Sequence, residues 1–309
     1  MVTVLGITGP FFAVVALGYL AGRRGWMPDG AVRSLNVFVF YFAMPALIIQ
    51  ALSGQDIAAA LGGAAVLVWL SAGLAAFALA MAAMRLLFAA PIGELALAGQ
   101  AASVGNIGFL ALPLMLATFG DAAAPLIAVA LIVDLTVLIP LSIGLIEWGR
   151  GSGETTRMLA GIARGMLVNP FILAIAAGAA LALSGLDLPQ AGERLLAFLG
   201  NAAGATALFA LGVSLSERRT GGDRKAIALL CGFKLILHPL LVIAASAAFG
   251  LDAAQTALLV VIAAMPIAGN VFVIAERYGI LVQRLSTAIL LSTAAALITV
   301  SLAVLLAGA

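Results

Sequence analysis

The chain has 309 residues, of which 64% are hydrophobic and only 9% charged, with a mean hydropathy of +1.23. That balance excludes an ordinary soluble globular domain, and a net charge of +2 gives no reason to expect a nucleic-acid partner. The single cysteine, Cys231, can form no intrachain disulfide and lies in an apolar run, where packing is its expected role.

A helix rises about 1.5 Å per residue, so roughly 20 residues cross the hydrocarbon and a chain of this length accommodates about ten crossings. Apolar runs between polar breaks place them at 3–22, 34–52, 58–84, 95–116, 122–147, 166–184, 194–215, 226–249, 253–275 and 284–307. The first run has neither a basic segment before it nor a cleavage signal after it and is read as a retained span. Met44-Pro45 marks a kink in the second, and the third carries no charge.

The odd-numbered connections hold Arg23, Arg24 and Arg33, then Arg85, then Arg150, Arg157 and Arg164, then Arg218, Arg219, Arg224 and Lys225, then Arg277 and Arg284. These are thirteen of the fifteen basic residues. The even-numbered connections hold Asp56, Asp121, Asp187, Glu193 and Asp252 with only Arg194. The positive-inside rule puts the odd connections in the cytoplasm and both termini outside, in a cell inner membrane.

The fourth run contains Ser103-Val-Gly-Asn-Ile-Gly-Phe-Leu-Ala-Leu-Pro113, which is not the sequence of a continuous helix. Proline removes a donor and clashes with the preceding turn, and glycine tolerates unwound backbone, so a helix broken inside the membrane is expected. Asn106 lies about twelve residues into this run, roughly 18 Å deep. Its amide can donate to a carboxylate, and an unwound stretch at Gly105 to Gly108 would aim the dipole and free amides of the next half-helix at the same spot. The plainer alternative is an interhelical hydrogen bond. In the fifth run Asp134 is a mid-membrane carboxylate, which could bind a proton or sodium ion during a transport cycle or form a structural pair with Lys234.

The longest polar connection, Trp148 to Arg164, divides the runs five and five: residues 1–150, a cytoplasmic connection at 151–164, and residues 165–309. Five is odd, so the second half of a duplicated fold would be inverted. Gly9-Pro10-Phe11 and Asn169-Pro170-Phe171 match 160 positions apart, and the same offset carries Asn106 onto Pro266. Lys234 and His238 share a face of the eighth run, before Pro239, and His238 is either a proton relay or a packed core residue. Met265-Pro-Ile-Ala-Gly-Asn-Val-Phe272 repeats the broken-helix chemistry in the ninth run, and Glu276-Arg277-Tyr278 reads as its solvated cap. Interrupted spans in corresponding places of two halves point to a transporter's binding site. Asn106, Gly105, Gly108, Pro113, Pro266 and Asn270 are the candidate substrate residues; Asp134, Lys234 and His238 are the candidate coupling residues. No Walker-type loop, metal-ligand cluster or Ser/His/Asp set is present in the sequence, so no cofactor is expected, and coupling to a proton or sodium is open.

These residues resemble the auxin efflux carrier family, which includes the plant PIN-formed carriers and many bacterial transporters. The resemblance spans nearly the whole chain. It rests on Asn36-Val-Phe-Val-Phe-Tyr-Phe-Ala-Met-Pro45, Val104-Gly-Asn-Ile-Gly-Phe-Leu-Ala-Leu-Pro-Leu114, Asn169-Pro170 and Ala264-Met-Pro-Ile-Ala-Gly-Asn-Val-Phe-Val-Ile-Ala-Glu-Arg-Tyr278. It implies an all-α fold of ten transmembrane helices in two inverted five-helix repeats, with helices four and nine crossing at prolines where a substrate anion sits. Asn106 and Pro113 match the fourth-helix motif and Pro266 the ninth; the surroundings of Asn270 match less well. Plant members carry an acidic and basic pair near the second and third helices that is absent here, and their long cytoplasmic loop is reduced to Trp148 to Arg164. The reading is a secondary carrier of a small organic anion, a mono- or dicarboxylate. A crossover domain would move against a scaffold of the first, second, sixth and seventh spans, with a homodimer open. The alternative class is an intramembrane enzyme or signalling receptor using the same cavity, for which Asp134, Lys234 and His238 are a thin set.

Overall fold

The computed structural model describes residues 2–53, 55, 63–150, 160–161, 164–165, 167–186, 188–217 and 221–308. Asp56, Arg157, Asp187, Arg218, Arg219 and residues 151–159 of the central connection lie outside them. The described chain is all-helical, and its one non-helical pairing is an isolated antiparallel bridge. The helices are α1 (Val2–Arg23), α2 (Ala31–Leu52), α3 (Ala64–Phe88), α4 (Ile92–Ser103), α5 (residues 107–119) and α6 (residues 124–150). After the central connection come α7 (Pro170–Ser184), α8 (Gln190–Glu217), α9 (Arg224–Phe249), α10 (Ala253–Ala263), α11 (Gly269–Tyr278) and α12 (Val282–Leu306).

Among the described residues, six helical stretches are long and apolar enough to cross a membrane: Ala31–Leu52, Ala64–Phe88, Ile107–Arg150, Gln190–Glu217, Arg224–Phe249 and Val282–Leu306. Pro170–Ser184 and Ala253–Ala263 are shorter apolar helices. The protein is therefore a multi-pass membrane protein. Within Ile107–Arg150, α5 and α6 part at Gly120, whose φ of 68° suits glycine alone without strain.

Proline shapes four helices in the same way. One turn of π-helix precedes Met44-Pro45, Leu112-Pro113, Ile139-Pro140 and His238-Pro239, at Val39–Ala43, Ile107–Ala111, Asp134–Leu138 and Phe233–Leu237. In each, the residue before proline donates its N–H to the carbonyl five residues back: Met44 to Val39, Leu112 to Ile107, Ile139 to Asp134 and His238 to Phe233. The wider turn gives room to a ring that would otherwise collide with the preceding carbonyl. Asp134 and Lys234 both lie in such turns.

The helices pack in two groups. In the first, α1 runs parallel to α8 at backbone contact, with Gly18 against Phe209, Gly212 against Val15 and Tyr19, and Gly22 against Ser216. Small residues permit that approach where lipid offers no hydrophobic drive for association. Helix α2 packs on α7 and α8 beside Gly178 and Gly200. In the second group α3 packs on α4, α6 and α9, α4 on α6, α9 on α10 and α12, and α11 on α12. The groups meet where Phe171 of α7 sits on Gly108 and Gly204 of α8 sits on Pro113, and again where α1 packs on α12, with Thr8 and Ser301 hydrogen-bonded at 2.7 Å. Beside this contact is a small apolar recess lined by Ile48, Leu52, Leu112, Ile127, Leu131 and Ile175.

Candidate functional site

The helix breaks fall at residues 104–106, between α4 and α5, and at 264–268, between α10 and α11. The two unwound strands cross and pair: Gly105 bridges Ile267, Asn106 N–H donates to Pro266 O at 2.9 Å, and Ala268 N–H donates to Val104 O at 3.3 Å. Each break thus satisfies part of the other's exposed backbone, which the hydrocarbon could not do. The Ile267 N–H finds Ser292 Oγ of α12 at 3.3 Å. A Cβ on Gly105 would lie 3.2 Å from both Cε and Nζ of Lys234, so glycine lets the lysine head reach the crossing.

Asn106 precedes α5 at φ −76°, ψ 64°, and is 5% exposed. Its backbone carbonyl accepts from Leu110 and Ala111, but no described residue hydrogen-bonds its side-chain amide. The Ile107 N–H is taken by Gly105 O at 2.8 Å, whereas those of Gly108 and Phe109, in the first turn of α5, have no intrahelical acceptor. An uncommitted amide and two free N–H groups at the positive end of a helix make a donor set for an anion. Pro113 instead faces α8, and Pro266 contributes its carbonyl to the crossing. Asn270 is exposed in the first turn of α11, so the second break supplies no counterpart to the buried Asn106 amide.

Beside the crossing lies a buried cluster joined by hydrogen bonds and one ring contact. Lys234 Nζ donates to Ala263 O, at the C-terminal end of α10, at 2.6 Å and lies 3.1 Å from His238 Nδ1. With Lys234 as an ammonium, which has only donors, Nδ1 is the acceptor and the ring hydrogen belongs on Nε2. The His238 ring packs edge-on against Trp69 of α3 at 5.2 Å, and Trp69 Nε1 donates to Asp134 Oδ1 at 2.9 Å. Trp69, Lys234 and His238 are completely buried and Asp134 is 3% exposed. Asp134 and Lys234 make no ion pair within 4 Å; the carboxylate is held by the indole instead. Asp134 Oδ2, His238 Nε2 and both amide atoms of Gln100, on α4, are buried without a partner among the described residues. Such groups are costly, and an ionisable one inside a membrane span is a functional candidate by default.

Trp69 and Gln100 were not anticipated. An indole has an N–H that needs an acceptor when buried, and that handle in the uncharged third run was the available signal. The stretch Glu276-Arg277-Tyr278 is also more than a solvated cap. Tyr278 Oη donates to Glu147 at 2.6 Å, while Arg150 donates to Tyr278 O at 2.8 Å and stacks 4.7 Å over its ring. Arg284 meets Glu94 at 3.3 Å, so these ends of α4, α6, α11 and α12 are tied together.

Two crossing broken helices with buried ionisable residues beside them are the arrangement that many transporters use to hold cargo near the midplane. The chain belongs to the membrane transport protein family, whose model matches residues 9–304, the family of the auxin efflux carriers. It is 32% identical over 303 residues to the "Putative malonate transporter" of Rhizobium meliloti (strain 1021), covering 97% of this chain and 95% of that one. It is 24% identical over 274 residues to the "Uncharacterized transporter YfdV" of Escherichia coli (strain K12), covering 88% and 87%. The protein is a transporter and not an enzyme.

Proposed function

We propose that the protein is a secondary carrier of a small organic anion, a short dicarboxylate of the malonate type, bound at the crossing of the two helix breaks. The observation that carries this reading is the Asn106 amide, 5% exposed and unengaged at the head of α5, beside the free N–H groups of Gly108 and Phe109. One substrate carboxylate accepts from this set. The name of the Rhizobium meliloti relative supports the choice of malonate as first candidate.

In this reading the chain crosses an inner membrane ten times as two inverted five-helix repeats, residues 1–150 and 165–309, with both termini outside. The arginine and lysine distribution supports the orientation. The inversion is supported by the bond between Asn106 and Pro266, the two residues that the sequence offset equates. Transport follows from movement of α3–α6 with α9–α12 against α1, α2, α7 and α8, which exposes the crossing to each side in turn. Asp134, with one carboxylate oxygen unpartnered, takes up and releases the coupling proton or sodium ion. Its chain through Trp69, His238 and Lys234 to the end of α10 links that event to the substrate site.

The test is uptake of radiolabelled malonate into proteoliposomes containing the purified protein, with unlabelled mono- and dicarboxylates as competitors. Saturable uptake that Asn106→Ala weakens is the expected result. Absence of uptake or exchange of any short carboxylate would refute the assignment.

A further inference from the structure

A close contact between the two helix groups falls at Gly108, two residues after Asn106. Phe171 opens α7, where its place is fixed three times over. Pro170 begins the helix, and Asn169 Oδ1 accepts from the N–H groups of Phe171 at 2.9 Å and Ile172 at 3.4 Å. The Phe171 ring is 5% exposed and tilts against Phe40, of the π-turn in α2, with centroids 4.9 Å apart. Its leading edge rests on Gly108: a Cβ added there would lie 2.5 Å from Phe171 Cε2. Gly108 is the residue whose free N–H belongs to the anion-binding set. The ring therefore stands against the residue that carries one of the donors, on the side a side chain there would take, with Phe40 of the same helix group packed behind it.

We propose that Phe171, braced by Phe40, sets the size limit of the substrate site, restricting cargo to carboxylates whose body is short and unbranched. This rests on the reading that the anion binds at the head of α5. On that reading a bulky substituent on the substrate would have to displace the Phe171 ring, and a displaced ring gives up its packing on Phe40 and Gly108. Glycine at position 108 is the complementary half of the device, since any side chain there would drive the ring away or narrow the site further.

The experiment is competition against radiolabelled malonate in proteoliposomes, using malonate, methylmalonate and phenylmalonate, for wild type, Phe171→Ala, Phe171→Leu, Gly108→Ala, Gly108→Ala with Phe171→Leu, and Asn106→Ala. Wild type should discriminate against phenylmalonate. Phe171→Ala should bind phenylmalonate at least tenfold more tightly than wild type while its KM for malonate rises severalfold. Should Phe171→Ala not fold, as judged by thermal unfolding, Phe171→Leu keeps apolar volume without the ring and should move the ranking the same way. Gly108→Ala should impair malonate transport, and Phe171→Leu should restore it in the double variant. An unchanged order of the three competitors in a folded Phe171 variant would overturn the size limit. Unchanged malonate affinity in Asn106→Ala would instead overturn the site on which it rests, so the two failures are distinct.

Discussion

Asn106 and Pro266 lie 160 positions apart in the chain and are joined directly, amide to carbonyl, at 2.9 Å; the next pair outward, Ala268 and Val104, returns the bond at 3.3 Å. The proline cannot donate, so its carbonyl is the group it brings to the pairing. Each break is the partner that makes the other tolerable in a bilayer.

Substrate affinity should depend on Asn106. Asn106→Ala leaves the backbone bond to Pro266 intact and removes only the free amide. A hydrogen bond to a charged group is worth about 1.5 to 3 kcal/mol, so affinity should fall roughly tenfold or more. Binding measured by calorimetry on the detergent-solubilised variant, with its melting temperature unchanged, checks this.

Gly105 should not accept a methyl group. An alanine Cβ would lie 3.2 Å from Lys234 Nζ and Cε, and it would push the ammonium from the Ala263 carbonyl. Overpacking of this kind costs about 1 to 3 kcal/mol. A lower melting temperature together with lost uptake is expected, whereas full activity would mean that the lysine head is not held at the crossing.

Asp134→Asn keeps the shape of the carboxylate but cannot titrate. It should abolish the response of transport to imposed pH or sodium gradients and retain exchange of substrate for substrate. Trp69→Phe should act on the same property, because it strips Asp134 Oδ1 of its donor while keeping the ring against His238. The two changes should combine less than additively in a double-mutant cycle. A normal gradient response in Asp134→Asn would return this residue to a structural role.

The orientation can be read with a reporter that is active only in the periplasm. Fused after Ala309 it should give signal, and a cytoplasmic reporter at the same place should not.

Much of the crossing was legible because its residues are wrong for their setting. Glycine, asparagine and proline in the middle of an apolar run have few reasons to be there, and Asn106, Gly105, Pro266 and Lys234 come together as that incongruity suggests. Hydropathy alone marked the apolar runs in which the six long helices lie. Trp69 was illegible because it is apolar enough to belong where it stands, and its N–H matters only once Asp134 is placed opposite. Phe171 stood out only as half of a repeated tripeptide; its contact with Gly108 depends on how α7 lies against α5, which no local pattern encodes. Asn270 shows the converse, since a matching motif at the second break supplies an exposed side chain.

The wide turns before proline have a further consequence for how this chain tolerates change. A π-turn holds one residue more than the α-turn it replaces, and one residue corresponds to about 100° of rotation around a helix axis. The extra residue in Asp134–Leu138 therefore sets the azimuth of everything on one side of α6 relative to the other, as the one in Phe233–Leu237 does for α9. Losing a single residue from either turn would leave the helix continuous and equally apolar, yet swing its two halves out of phase and carry Asp134 away from Trp69, or Lys234 away from Ala263.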